Sequence, residues 1–378
     1  MKHIEISRRT LIKGGISGII TLLLANNRVV AALTAGEQLS LPHEGGVGPW
    51  NYWLSNEGAG IVRLASAAIL ASNPRDIQPW LFRLNTKQME VLLDDKVGLR
   101  LGALDAVQRE IYIGLGCAVE NACVAAPSQG LIAKVSLLPD PARPTLAAIL
   151  DFQTADPVKH PHHDAIGLRH TNRSAYRLDR PVDQAAIDAL THQASSPDTQ
   201  VLLLNAASPE GKVVSDVMIE ATKQQLEVPA LADLLHAGTR ARLSKGSTDE
   251  DIDAAIRAAD TRAVEGMRKS CATAAYFGLI MVRGSRFDHR LHLEAGRLWQ
   301  RIHLEGTTRG LGMQPLNHPI QSIDYDAANH RPSDLLARLL KLPGNWDGWE
   351  PIFGFRLGYA DEAARSSARR PLSEVVIS

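Results

Sequence analysis

Apolar residues recur at helical spacing from 57 to 71, and the run stops at Ser72-Asn73-Pro74, where the residue before a proline leaves helical geometry. Upstream, the Gly- and Pro-rich stretch 37–56 reads as a surface arm. Two short apolar runs, 78–84 and 89–95, flank Asn85-Thr86-Lys87 and predict a β-hairpin. A long helix follows over roughly 106–130, then a strand over AKVSLLP and a Pro-rich passage. KHPHHDA (159–165) leads into RHTNRSAY (169–176), and a helix over VDQAAIDALTHQA precedes the strand QVLLLNA. A highly charged, mostly helical run covers 208–268. A helix with one buried face spans 295–312, the last good strand is IFGFRLGYA (352–360), and RRPLSEVV closes the chain.

Two pairs of stretches in this list match each other. GCAVENACVAAPSQGL starts at Gly116 and GRLWQRIHLEGTTRGL at Gly296; each is a helix with Gly at its start and Gly-Leu fourteen residues on, the second Gly being a natural C-cap. ASNPRDIQPWLF from Ala71 pairs with ASSPDTQVLLL from Ala194 if one deletion is allowed. The matches keep their order and lie beside strands, so they predict a duplicated unit, one half near 50–160 and the other near 164–378. The offsets are 123 and 180 residues, so the second half carries an insertion of about 57, which falls on the charged run near 208–268. A long insertion between core elements reads as a lid.

Charge and cysteine narrow the partners. The chain has 378 residues, with 41 basic and 41 acidic side chains and no polybasic tail, which argues against nucleic acid or an anionic membrane surface as partner. The first 35 residues read as an export signal: Arg8-Arg9 precede a twelve-residue apolar run (14–25) too short to span a bilayer, and small residues follow. The segment resembles a twin-arginine signal, which predicts a periplasmic protein, or one held at the membrane if the signal is not cleaved, with the twin-arginine export machinery as a partner. Cys117 and Cys123 share a predicted helix about 9 Å apart along its axis, and Cys271 is remote, so three unpaired thiols are expected.

RHTNRSAY carries the most chemistry. Arg169 and Arg173 flank His170, Thr171 and Asn172, five side chains able to donate hydrogen bonds, and guanidinium groups suit the forked grip on phosphate oxygens. A helix starting nearby would add its free N–H groups. The spacing of His160, His162 and His163 fits none of the standard zinc patterns, and no metal site is expected. Gly310-Leu311-Gly312 is a helix stop without a preceding dinucleotide fingerprint, and no serine-hydrolase elbow occurs.

QPW, RHTNR, GRLWQRIHLEGTTRGLGMQPL and the RRPLSEVV ending together resemble the nitroreductase family of flavin-dependent oxidoreductases, and more closely its single-chain Acg-like branch, from about 57 to 376. The resemblance implies an α+β fold in which two nitroreductase-like halves, with mixed or antiparallel sheets, form an internal pseudo-dimer within a monomer. It implies one FMN gripped jointly by both halves. By the same resemblance, Arg169, Thr171, Asn172 and Arg173 form the phosphate run. Ser72, Asn73, Pro74, Gln78, Pro79 and Trp80 cover the flavin. Pro315, Leu316 and Asn317 approach its N5, and Arg369 and Arg370 supply a basic C-terminal pair. Gln200-Val201-Leu202 stands where the second half would carry QPW, so one composite site is expected. Two departures are Asp76, where the family has Asn, and Asn317-His318 in place of Glu-Gly.

Hydride transfer to and from a flavin needs no side-chain nucleophile or base, so no catalytic residue is named. The leading expectation is an exported FMN oxidoreductase passing electrons by ping-pong exchange from a donor to a small acceptor, a quinone or nitro compound. The alternatives are an FMN-sequestering or storage protein with a closed lid, and a scaffold that has lost flavin.

Overall fold

The computed structural model describes residues 41–194, 196–243 and 248–378; the leader read at 1–35 lies outside them. The fold is α+β, with two sheets. β1 (Trp80–Leu84) and β2 (Gln88–Leu93) form the hairpin the sequence predicts, and β3 (Leu131–Leu137) and β4 (Leu146–Thr154) complete the order β3-β4-β2-β1. β5 (Thr199–Asn205), β6 (Tyr276–Arg283), β7 (Gly312–Pro315) and β8 (Trp349–Gly358) form the second sheet in the order β7-β8-β6-β5. All of these pairings are antiparallel, and replacing β1–β4 by β5–β8 turns one order into the other.

The helices repeat the same scheme. After α1 (Gly48–Leu54), α2 (Gly60–Ala68) precedes β1, and α3 (Arg109–Ala125) lies between β2 and β3. In the second lobe α4 (Gln184–Thr191) precedes β5, with Asp183 capping its N-terminus. Helices α5 (Pro209–Glu227), α6 (Pro229–Leu243) and α7 (Asp249–Ala272) come next, and α8 (His289–Thr308) lies between β6 and β7. Every residue of α3 except Cys123 is buried, because α8 of the other lobe covers the face that its own sheet leaves open. One continuous apolar core therefore runs through both lobes, and a second lies between α5, β6, α9 (His318–Ala328) and α10 (Asp334–Leu339).

The C-terminal arm ties the lobes together. β9 (Val376–Ile377) leaves the second lobe and adds a parallel strand to β1, making the first sheet five-stranded and mixed. On the way the Arg369 N–H donates to the Gly46 carbonyl at 2.7 Å, and the Trp50 indole N–H to the Ser367 carbonyl at 2.8 Å.

Several elements differ from the sequence expectation. The 37–56 stretch is not only an arm: α1 buries Trp50 and Trp53. In the charged run, α5 buries Val214, Val217, Met218 and Ala221 completely and is a wall of the second core, so a lid reading applies at most to α6 and α7. β4, β6, β7, α9 and α10 were not predicted. Gly130 and Gly310 hold the left-handed conformation expected of C-caps (φ 68° and 70°), and the three cysteines are unpaired.

Candidate functional site

RHTNR lies along the edge of the second sheet. Thr171 bridges Met313 in parallel, and the Asn172 N–H donates to the Met313 carbonyl at 3.0 Å. This places Arg169, Thr171 and Arg173 beside the end of β7. The helical turn next to the run, Ala165–Leu168, ends at Arg169 rather than beginning there, so it brings no N–H groups to the site. The N-terminal residues of α9, Asn317 and His318, border an adjoining slot.

Across from this edge sits the Ser72–Pro74 turn of the first lobe. Arg169 reaches over to it, its guanidinium donating to Ser72 Oγ at 3.0 Å and to the Leu70 carbonyl at 2.8 Å. Two connected spaces result. A small basic pocket of about 50 Å³ is lined by Arg75, Arg169, Arg173, Arg365 and Arg369, with Asp76 as its one carboxylate. It shares Ser72, Asn73, Arg75, Thr171 and Arg173 with a slot of about 270 Å³, whose other walls include Ile113, Gly114, Trp299, Pro315 and Phe353. Gly114 is the cradle of this slot: a Cβ there would lie 3.1 Å from Pro74 and 3.5 Å from both Asn73 and Pro79.

The basic pocket holds more positive charge than its partners balance. Arg169 and Arg369 are 2% and 4% exposed, and each has a buried Nε without a hydrogen-bond partner among the described residues. Burial, and then the neighbouring Arg369, push the Arg169 guanidinium down to about 9; burial lowers Arg369 as well. Asp76 gives Arg369 a single contact at 3.1 Å while remaining half exposed. Buried cations are costly unless paired, so this pocket favours an anion. Two more unpartnered polar atoms, the Trp299 indole N–H and the His318 Nδ1, belong to residues of the slot. His318 is held down at about 4 by burial and by Arg75, and stays neutral near pH 7.

Nine predicted residues therefore surround one cavity: Ser72, Asn73, Pro74, Arg169, Thr171, Arg173, Pro315, Asn317 and Arg369. The structure puts the other six elsewhere. Trp80 is fully buried in the first-lobe core, where strand alternation carries it inward with Phe82. Gln78 clamps the C-terminal arm, accepting from the Arg370 N–H at 2.7 Å and donating to the Ala368 carbonyl at 3.3 Å, and Pro79 packs behind Gly114. Arg370 pairs with Asp94 at 2.9 Å, pointing away from Arg369 as neighbours on an extended arm do. Asn172 ties its side chain to the Glu362 carbonyl and to Ser174. Leu316 packs into the second core, touching the space beside α7 and β7 rather than the slot, and its N–H is taken by the Gly354 carbonyl at 2.7 Å.

Sequence reading missed Arg75, Gly114, Gln314, His318, Gln321 and Phe353 as lining residues. Three left a trace: Gly114 as a glycine two residues before the matched Gly116, Gln314 within the GMQPL stretch, and His318 as part of the Asn317-His318 departure. Asp76, read as a departure, is bound to Arg369 and Ser367. Of the histidines, His162 hydrogen-bonds Glu305 at 2.6 Å, and His303 lies 3.4 Å from Ser72 Oγ.

A basic pocket thus adjoins an aromatic-walled slot between two α+β lobes. The sequence is similar, at 25% identity over 325 residues, to the protein named "Putative NAD(P)H nitroreductase acg" in Mycobacterium tuberculosis strains CDC 1551 and H37Rv, covering 82% of this chain and 92% of that one. No family model matches. Similar solved structures include the FMN- and NADPH-dependent nitroreductase NfnB of a Sphigopyxis strain (18% identity, 57% of this chain, 98% of that one, TM-score 0.35). A nitroreductase with bound FMN from Desulfitobacterium hafniense is another (14% identity, 54% of this chain, 93% of that one, TM-score 0.37).

Proposed function

We propose that the chain is an FMN-dependent oxidoreductase of the nitroreductase type. The observation that carries this is the pair Arg169 and Arg369, buried, incompletely partnered, and set where a basic pocket meets an aromatic-walled slot. Arg169, Arg369 and Arg173 would hold the phosphate, each charge-assisted contact contributing about 1.5–3 kcal/mol. Asn73, Pro74 and Gly114 would lie along one side of the ring system, and Trp299 and Phe353 along another. When bound, FMN supplies the hydride chemistry between a donor and a small acceptor such as a quinone or nitro compound. The residues around the slot position the ring and exclude water, and none need act as acid or base.

The similarity of the two lobes supports descent from one duplicated unit, with the C-terminal arm making the single site composite. Arg8-Arg9 and the apolar run after them support export by the twin-arginine route. Anaerobic stopped-flow tests the enzymatic reading. Bleaching of bound flavin by reduced nicotinamide, then recovery on adding a quinone, is the expected result. Bleaching by dithionite alone would favour a flavin store. Cell fractionation of the wild type against an Arg8→Lys, Arg9→Lys variant tests export, which predicts periplasmic protein only for the former.

A further inference from the structure

We infer that a side chamber between α7 and the end of β7 is where the flavin's redox partner docks, and that this partner is a small aromatic compound bearing a negative group; the inference rests on the flavin reading above. The chamber has a volume of about 350 Å³ and shares Arg173, Gln314 and His318 with the slot, so the two adjoin across these side chains. Its outer wall is one face of α7, on which Ala263, Gly266 and Ser270 fall at helical spacing. These side chains are small, and even a Cβ on Gly266 would meet nothing within 4 Å, which leaves width for a ring.

Charge sets the class of ligand. Among the described residues three cations, Arg173, Lys269 and Arg356, line the chamber, and no Asp or Glu does, in a chain whose acidic and basic side chains are equal in number. Arg356 is fully buried and donates only to neutral groups: Gln314 Oε1 at 2.8 Å, the Ser174 and Ser270 carbonyls, and Thr273 Oγ1. Arg173 and Lys269 are exposed and make no ion pair among the described residues. Arg173 also borders the phosphate pocket, so a phosphate held there would answer part of its charge, whereas Lys269 and Arg356 line the chamber alone and would stay unanswered. A cleft lined by one sign of charge focuses its field on ligands of the other sign. A neutral acceptor gains nothing from that field, whereas a carboxylated, sulfonated or phosphorylated ring is drawn in with its anionic group toward Lys269 and its ring toward Gln314 and His318.

Equilibrium binding to the full chain as purified, followed by quenching of naphthalene fluorescence, tests this. Naphthalene-2-sulfonate is expected to bind about tenfold tighter than the neutral naphthalene-2-sulfonamide at low salt, with the advantage shrinking as salt is added. Lys269→Glu, on an exposed helix position that keeps the fold, is expected to remove most of that advantage, and Lys269→Ala a smaller part. Equal affinity for the two probes overturns the inference. So does a sulfonate preference that survives Lys269→Glu but disappears with Arg369→Met, since that puts the anion in the phosphate pocket. Flavin content measured on the same samples keeps the two readings apart. Colourless protein that takes up no FMN defeats the flavin reading and the redox role with it, whereas yellow protein without a sulfonate preference defeats this inference alone.

Discussion

Gly116 of α3 and Gly296 of α8 meet backbone to backbone. A Cβ on Gly116 would lie 3.1 Å from the Gly296 Cα and 2.2 Å from the Leu293 carbonyl oxygen; a Cβ on Gly296 would lie 2.1 Å from the Ile113 carbonyl oxygen. The contact is reciprocal, as expected if the crossing lies on a pseudo-twofold axis. It brings the two lobes close enough for the Cys117 thiol to donate to the Gly296 carbonyl at 3.2 Å. Gly116→Ala and Gly296→Ala must push the helices apart, with no flexible side chain to yield. Each is expected to destabilise by about 2–3 kcal/mol, the range for overpacking a tight core. Urea unfolding followed by circular dichroism reads this, and an unchanged midpoint would show that the helices do not touch there.

Arg369 and Arg370 are adjacent in sequence and opposite in surroundings. The first is buried in the basic pocket and the second pairs with Asp94. Arg369→Met is expected to weaken FMN binding about 10- to 100-fold, the equivalent of one charge-assisted contact. Arg370→Met should change it by less than about threefold, because it touches only the arm's anchorage. Titration of flavin-stripped protein with FMN measures both, and equal effects would show that the arm is placed wrongly.

Asp76 is the carboxylate that Arg369 holds in this structure, and it stands at the mouth of the pocket an anion would enter. Asp76→Asn removes a competing counter-ion from a half-exposed pair, so FMN should bind more tightly, by up to about fivefold. Weaker binding in that titration would mean that the carboxylate orients Arg369 rather than competing for it.

How much of this was legible in the sequence differs from residue to residue. Arg169 and Arg173 stood out because five donors in a row are chemically unusual. Gly116 and Gly296 stood out because they recur at the head of matching helices. Gln78 was also found, but its task was misread: it does not face the slot, and it holds the arm that carries Arg369. Trp80 and Leu316 were assigned to the site by resemblance, whereas strand alternation and the close approach of Leu316 to Gly354 send them into cores. β6, whose YFGLIMVR carries no polar alternation because neighbours cover both of its faces, passed unnoticed for the reason buried strands usually do. Arg75 reaches the cavity only through tertiary folding and no local pattern marks it, and His318 was marked only as a departure, not as a wall of the site.

Buried histidines set the acid limit of stability. Burial and Arg109 push His292 down to about 3, burial and Arg75 push His318 down to about 4, and burial and Arg169 push His303 well below its ordinary value. Each stays neutral when folded but takes a proton near pH 6.5 when unfolded, so stability is full above that pH and falls as the pH drops toward about 4. His170, lowered to about 4 by burial and Arg169, adds to this, and Asp105, raised to about 7 by burial and then by Glu110, acts in the opposite direction over the same window, one group against four. The urea midpoint is therefore expected to be lower at pH 5 than at pH 7. A midpoint that is flat or higher at pH 5 would show these imidazoles to be solvated.

The central claim is that the arginines of the later lobe and the Ser72–Pro74 turn of the earlier one hold a single flavin. The absorbance spectrum of freshly purified, folded protein tests it most directly. A yellow sample with a flavin band, releasing one equivalent of FMN per chain on denaturation, is the predicted result. Colourless protein that takes up no FMN when it is supplied in excess would contradict it.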